Sequence, residues 1–298
     1  MIVDSHQHFW NLEREPMPWM LPAHAAIARA FEPDDLRPLL DACGIDSTIL
    51  VQAACSDADT DMMFQQAAAN PWIGAVTAWV DLTNPRRART RLDRLARHPT
   101  LRGVRHLIHE EDDQHWILRA NVLESIALLE DRRLVLELVC VYPRHLGDVP
   151  ELAQRFPDLT IVIDHLGKPP LLTAQMADWT TLLQRAAAHG NVAAKISGLN
   201  TVLASVRWTG RDMQDAVEVA VECFGPDRLM WGSDWPYSLL NGDYRRVWRE
   251  TVETVTTVAG DDGARRILED TPVRLYQLGD TVSATHSSPG EHPDGRAH

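Results

Sequence analysis

Apolar and polar positions along the chain fall into two alternating rhythms. Short runs that are apolar or β-branched almost throughout recur at Ile2–Asp4, Ser47–Gln52, Ile73–Val80, Leu101–Ile108, Leu134–Val141, Thr160–Leu166, Val192–Gly198 and Arg228–Asp234. The stretches between them carry apolar residues at helical spacing. In Ala120–Asp131, Val122, Ile126 and Leu129 stand at i, i+4 and i+7, on one helix face. Ala88–Arg97 places Leu92, Leu95 and Ala96 in the same way, and Asp212–Phe224 alternates faces before Gly225-Pro226. The segment from Asp34 to Cys43 opens acidic and stops on Gly44, as helices do.

Apolar strands alternating with helices imply parallel pairing, since each return to the sheet crosses over through a helix. Eight such units in about 280 residues predict an α/β protein, a single (β/α)8 TIM barrel over residues 1–279. An open doubly wound sheet competes with it and requires a reversal of strand order. Residues 280–298 change character: they are rich in Ser, Pro, Gly, His and Asp, carry almost nothing apolar, and predict a disordered tail. His286, His292 and His298 lie there and are expected to be solvated.

Composition narrows the function classes. With 45% hydrophobic and 24% charged residues the chain can bury a large core. A formal net charge of −13 argues against a nucleic-acid partner, because phosphate binding needs clustered Lys and Arg. No run approaches the roughly 18 apolar residues of a membrane span. The N-terminus lacks a basic segment followed by an apolar one, so neither a membrane partner nor a signal peptide is expected. Cys43, Cys55, Cys140 and Cys223 are scattered and form no CxxC pair, which fits a cytoplasmic protein with reduced thiols. The expected partner is a small molecule, and no sequence feature sets an oligomeric state.

In a barrel of this kind chemistry belongs at the C-terminal ends of the strands. Several runs end in residues suited to it. Asp4-Ser5-His6-Gln7-His8 follows Ile2-Val3, and alternate residues of an extended chain share a face, so Asp4, His6 and His8 point one way and both histidines reach one ion. An exposed loop is the plainer reading of that pair. Ile161-Val162-Ile163 leads to Asp164 and His165: the histidine is a ligand or acid/base group, the aspartate a partner that orients it, or both serve a turn. Leu229-Met230-Trp231 leads to Gly232-Ser233-Asp234-Trp235. An aspartate flanked by tryptophans is partly desolvated and suits a general base, with a helix N-cap as the alternative. Arg105 in LRGVRHLIH grips a carboxylate or polarises a carbonyl, unless it pairs with a strand-end acid. Lys195 inside AAKISGL is costly unless paired or working. Neither a GxSxG elbow nor a Walker A or GxGxxG loop occurs.

His-x-His after the first run, His after the sixth and Asp after the eighth resemble the amidohydrolase superfamily of (β/α)8 hydrolases. The phrases VDSHQHFW, LRGVRH, IDHLGKP, AKISGL and LMWGSDWP resemble its amidohydrolase-2 branch, and most of all the sugar-acid lactonases of the L-fuconolactonase and L-rhamnono-lactonase type. The resemblance implies hydrolysis of an aldonolactone to its hydroxy acid in sugar catabolism, with Asp234 activating water. It implies that His6, His8, His165 and Asp234 hold one divalent metal, zinc by the chemistry of the set, or that the histidines polarise the carbonyl directly. Arg105, Lys195, Gln52 and Trp235 then contact the substrate. No evident bridging ligand ends the fourth or fifth run, so a two-metal site is not expected. A pyrone dicarboxylate or muconolactone hydrolase and a metal-dependent decarboxylase are the alternatives from the same branch. Loops at Asn11–Pro22, Ser56–Met63 and Tyr142–Leu146 are expected to choose the substrate.

Overall fold

Each of the eight runs becomes a strand: β1 Val3–Gln7, β2 Ser47–Val51, β3 Ile73–Ala78, β4 Leu101–His106, β5 Val135–Leu138, β6 Ile161–Ile163, β7 Val192–Ile196 and β8 Leu229–Trp231. The computed structural model describes residues 1–203 and 207–279, so the tail expected at 280–298 lies outside the described residues. Strands pair in sequence order, all parallel, with no reversal. The doubly wound alternative is thereby excluded. The ring closes past the end of β8, where Asp234 N donates to His6 O (2.8 Å) and His8 N donates to Trp235 O (2.7 Å).

Helices α1 Pro33–Cys43, α2 Asp57–Ala69, α3 Pro85–Leu95, α4 Ala120–Asp131, α5 Val149–Arg155, α6 Met176–Ala187, α7 Gln214–Phe224 and α8 Tyr244–Arg265 follow the strands, and a short α9, Thr271–Leu275, comes last. Their starts are set by side-chain oxygens that accept otherwise orphaned amides: Ser56 from Asp59 N, Asn84 from Arg87 N and Asp243 from Arg246 N. Gly44 ends α1 in the left-handed conformation (φ +69°). Ser56–Met63 is therefore the cap and first half of α2 rather than a loop, because a helix begins as soon as Ser56 meets the Asp59 amide. Val122, Ile126 and Leu129, the periodic trio of α4, are fully buried against the barrel. None of the helices, among the described residues, is long and apolar enough to cross a membrane.

Inside the barrel polarity rises along the strand direction. Val3, Ile49, Val51, Ala75, Val135, Val162, Ala193 and Met230 form an apolar cluster with Tyr276 and Leu278 of the C-terminal segment. Two residues further along their strands stand Thr77, Glu137 and Lys195, all fully buried. Thr77 Oγ1 and Tyr276 Oη each donate to Glu137 Oε1 at 2.6 Å, and Lys195 Nζ donates to Glu137 Oε2 at 2.6 Å. This layer is the platform under the site.

Candidate active site

β1 does not keep strict alternation. Its register against β2 shifts between Asp4 and Gln7, and Asp4 turns away from the mouth to accept from Tyr244 Oη on α8 (2.9 Å) and from Ser233 N (2.8 Å). The expectation that Asp4 shares a face with His6 and His8 is corrected by that irregularity. His6 and His8 do converge, Nε2 to Nε2 at 3.1 Å. His8 Nδ1 donates to Val51 O at 2.7 Å, which leaves its Nε2 lone pair free. Gly232 makes room for this: a Cβ there would lie 2.5 Å from His6 Cβ.

Asp234 reaches the same point from β8. Its Oδ1 lies 3.4 Å from His8 Nε2 and 3.8 Å from His6 Nε2. The residue is left-handed (φ +55°), which aspartate tolerates better than most. Its other oxygen faces Gly198, where a Cβ would stand 2.5 Å from Asp234 Oδ2 and 3.0 Å from His165 Nδ1. β6 ends in four successive left-handed residues, His165, Leu166, Gly167 and Lys168 (φ 55°, 51°, 71°, 52°). Three of these are not glycine, and each costs roughly 1–2 kcal/mol of backbone strain. The turn delivers two side chains to the mouth: His165, whose Nδ1 is 2.9 Å from Ser197 Oγ, and Lys168.

Arg105 from β4 has its terminal nitrogens committed. Nη1 donates to Asp164 Oδ2 (3.0 Å) and lies 3.2 Å from His6 Nε2, while Nη2 donates to Gln52 O and approaches Gln52 Oε1 (3.4 Å). Below, Lys195 Nζ lies 3.3 Å from His6 Nδ1 and 3.6 Å from Asp164 Oδ1. Burial pushes the three site histidines down, His165 to about 4. For Asp234 burial pushes the carboxyl up, but His165, His8 and His6 outweigh it and hold the group well below the usual carboxylate range. Burial also pushes Asp164 up, and His6, Lys195 and Arg105 together reverse that. For Glu137 burial wins over Lys195, and its carboxyl is raised.

Three acceptors therefore converge with separations of 3.1, 3.4 and 3.8 Å: His6 Nε2, His8 Nε2 and Asp234 Oδ1. Ligands about 2.1 Å from a tetrahedral ion stand roughly 3.4 Å apart. The donor set fits a divalent metal. Asp164 Oδ1, buried without a hydrogen-bond partner and 3.3 Å from His6 Nδ1, is placed to take the proton of that ring and free Nε2. His165 groups with His6 and Asp164 instead of with His8 and Asp234, so the four expected ligands do not form one set.

Above these residues opens a cavity of about 230 Å³. His8, Arg105, His165 and Asp234 form its floor, and Trp10, Trp19, His24, His109, Lys168 and Tyr237 are among its walls. Lys195, Gln52 and Trp235, expected to touch substrate, do not line it. Lys195 is fully buried under His6, Gln52 holds Arg105, and Trp235 packs edge-on against Phe9 and Phe31. Of the three expected loops, Asn11–Pro22 reaches the cavity through Trp19 and Leu21, and no residue of Tyr142–Leu146 lines it. Glu137, Lys168, His24, His109 and Tyr237 were not anticipated. Glu137 in LVLELVC carries the same signal as Lys195, a charge inside an apolar run, and Lys168 stands in the quoted phrase IDHLGKP.

The Amidohydro_2 family of amidohydrolases matches residues 3–278. An L-fucono-1,5-lactonase of Burkholderia ambifaria is 36% identical over 279 residues, covering 93% of this chain and 95% of its own length. An L-fucono-1,5-lactonase of Burkholderia multivorans is 34% identical over 260 residues, covering 82% and 85%. The crystal structure of an amidohydrolase from Burkholderia multivorans, described with bound zinc, superposes with a TM-score of 0.85 at 31% identity and covers 93% of this chain and 99% of that one.

Proposed function

The chain belongs to the Amidohydro_2 family of amidohydrolases, and from that premise we propose that it opens a sugar-acid lactone to the hydroxy acid by attack of water, with Asp234 as general base. The observation that carries this is Asp234 itself: a carboxylate in the lining of a sugar-sized cavity, with its Oδ1 within 3.8 Å of the His6 and His8 imidazoles. L-Fucono-1,5-lactone, the substrate in the names of both relatives, is the first candidate.

The reaction needs a positioned water, a base and positive charge near the developing oxyanion. Asp234 takes one proton from water as the oxygen bonds to the carbonyl carbon. On collapse the ring C–O bond breaks, and the departing oxygen takes that proton back. The Asp234 amide, donating to His6 O, anchors the base, and Arg105 fixes Asp164 and His6. Lys195 and Glu137 hold His6 from below. A divalent ion, for which we assign zinc from the two-nitrogen, one-carboxylate set, would be held by His6, His8 and Asp234 and would supply Lewis acidity toward the carbonyl and the water.

A pyrone dicarboxylate fits less well. It brings two negative charges to a cavity that already holds Asp234 and Glu110, and with Arg105 committed elsewhere Lys168 alone faces them among the cations of the described lining. Proton release from a panel of sugar lactones, pyrone dicarboxylates and unsaturated carboxylates tests the reading. Turnover is expected with sugar-acid lactones, and proton release confined to the other classes sinks it.

A further inference from the structure

Four carboxylates, Glu137, Asp164, Asp234 and Glu110, and three cations, Lys195, Arg105 and Lys168, gather at and under the barrel mouth. Glu137 pairs with Lys195 at 2.6 Å and Asp164 with Arg105 at 3.0 Å. Removing these two pairs leaves Asp234, Glu110 and Lys168, and all three line the cavity. Among the described residues the Lys168 ammonium makes no hydrogen bond or ion pair, and Nζ stands over the Tyr237 ring, 5.7 Å from its centroid. Arg105 offers no free terminal donor, since Nη1 and Nη2 are engaged by Asp164, His6 and Gln52, and its Nε is buried from the cavity. Among the described residues the chain thus places one uncommitted positive donor in the lining of the cavity that Asp234 shares. It does so through the left-handed turn His165–Lys168, whose Lys168 amide closes on His165 O at 2.8 Å.

We propose that Lys168 is a catalytic residue of this site, donating a hydrogen bond to the carbonyl oxygen of the lactone as it becomes an oxyanion. The assignment rests on the lactonase reading above. Lys168 undergoes no net proton transfer: it holds the oxygen while water adds, and releases it when the ring bond breaks and the carbonyl reforms. A charged donor preorganised in a walled cavity acts mainly on the transition state, so its loss appears in kcat rather than KM.

The test is steady-state lactone hydrolysis by wild type, Lys168→Met and Lys168→Arg, with melting temperature as the check on folding. Methionine keeps the length of the side chain and its packing on Tyr237. Lys168→Met is expected to lower kcat about 100-fold or more while KM moves less than about three-fold, the effect of removing one oxyanion donor. Lys168→Arg is expected to recover at least about ten-fold of that loss, as a second cation of similar reach. A Lys168→Met enzyme with wild-type kcat, or with raised KM and unchanged kcat, overturns the role of Lys168 and leaves the lactonase reading standing. Failure of the wild type on every sugar lactone overturns both.

Discussion

The buried pair beneath the site yields the sharpest structural prediction. Lys195 and Glu137 are both fully buried, and Nζ lies 2.6 Å from Oε2. Lys195→Met leaves a carboxylate still bonded to Thr77 and Tyr276 but without its cation. Stranding one member of such a pair costs about 3–5 kcal/mol. At about 2 °C per kcal/mol for a chain of this size, the melting temperature falls by about 6–10 °C. Burial already raises Glu137, so the stranded carboxyl takes up a proton more readily and the deficit widens from pH 5 to pH 8. Glu137→Gln costs a comparable amount, because its amide N–H then faces the ammonium. The double variant, neutral at both positions, escapes the unpaired charge in either single. Its loss is expected to fall short of the summed single losses by about 2 kcal/mol or more, measured by urea unfolding of all four proteins at pH 7. Additivity within about 0.5 kcal/mol would refute the pair as the platform under His6.

Gly198→Ala puts a methyl 2.5 Å from Asp234 Oδ2 at a residue with φ +62°, so kcat should fall at least ten-fold, and a fully active variant would show that Asp234 tolerates displacement. Asp59, fully buried with Oδ2 on the Ala53 and Ala54 amides, is raised by burial to about 7. The folded state thus favours the protonated form, and the stability this group contributes is present below about pH 4 and lost as pH rises toward 7, about 4 kcal/mol in all. Asp59→Asn should remove that slope, read from unfolding free energies at pH 5 and pH 8, and an unchanged slope counts against the assignment. Chelation and dialysis should remove about one zinc per chain together with activity, both restored by zinc, whereas full activity in metal-free protein excludes the ligand role of His6 and His8.

The barrel was legible because each strand is buried on both faces and each helix on one, so burial itself writes the two rhythms. The meeting of His6, His8, His165 and Asp234 was legible, since a barrel gathers the residues that close its strands at one mouth. What the pattern could not carry was direction. The register shift in β1 turns Asp4 toward α8, and no periodicity announces a shift. The left-handed turn after β6 brings Lys168 to the cavity, although an extended or helical continuation of IDHLGKP would send it elsewhere. Lys195 was correctly marked as a charge needing a partner, but the partner, Glu137, sits mid-strand on β5, and strand ends were where chemistry was sought. Trp19 and His24 reach the cavity from the long segment after β1, whose path depends on Trp10 meeting Phe31 across the chain.

Asp234 as the base of a sugar-acid lactonase is the proposal on which the other roles depend. Its most direct test is proton release from L-fucono-1,5-lactone by wild type and Asp234→Asn side by side, with product binding measured on both. Turnover by the wild type is expected, with kcat lowered about 100- to 10,000-fold in the variant and binding retained. Equal turnover by the two proteins would contradict it.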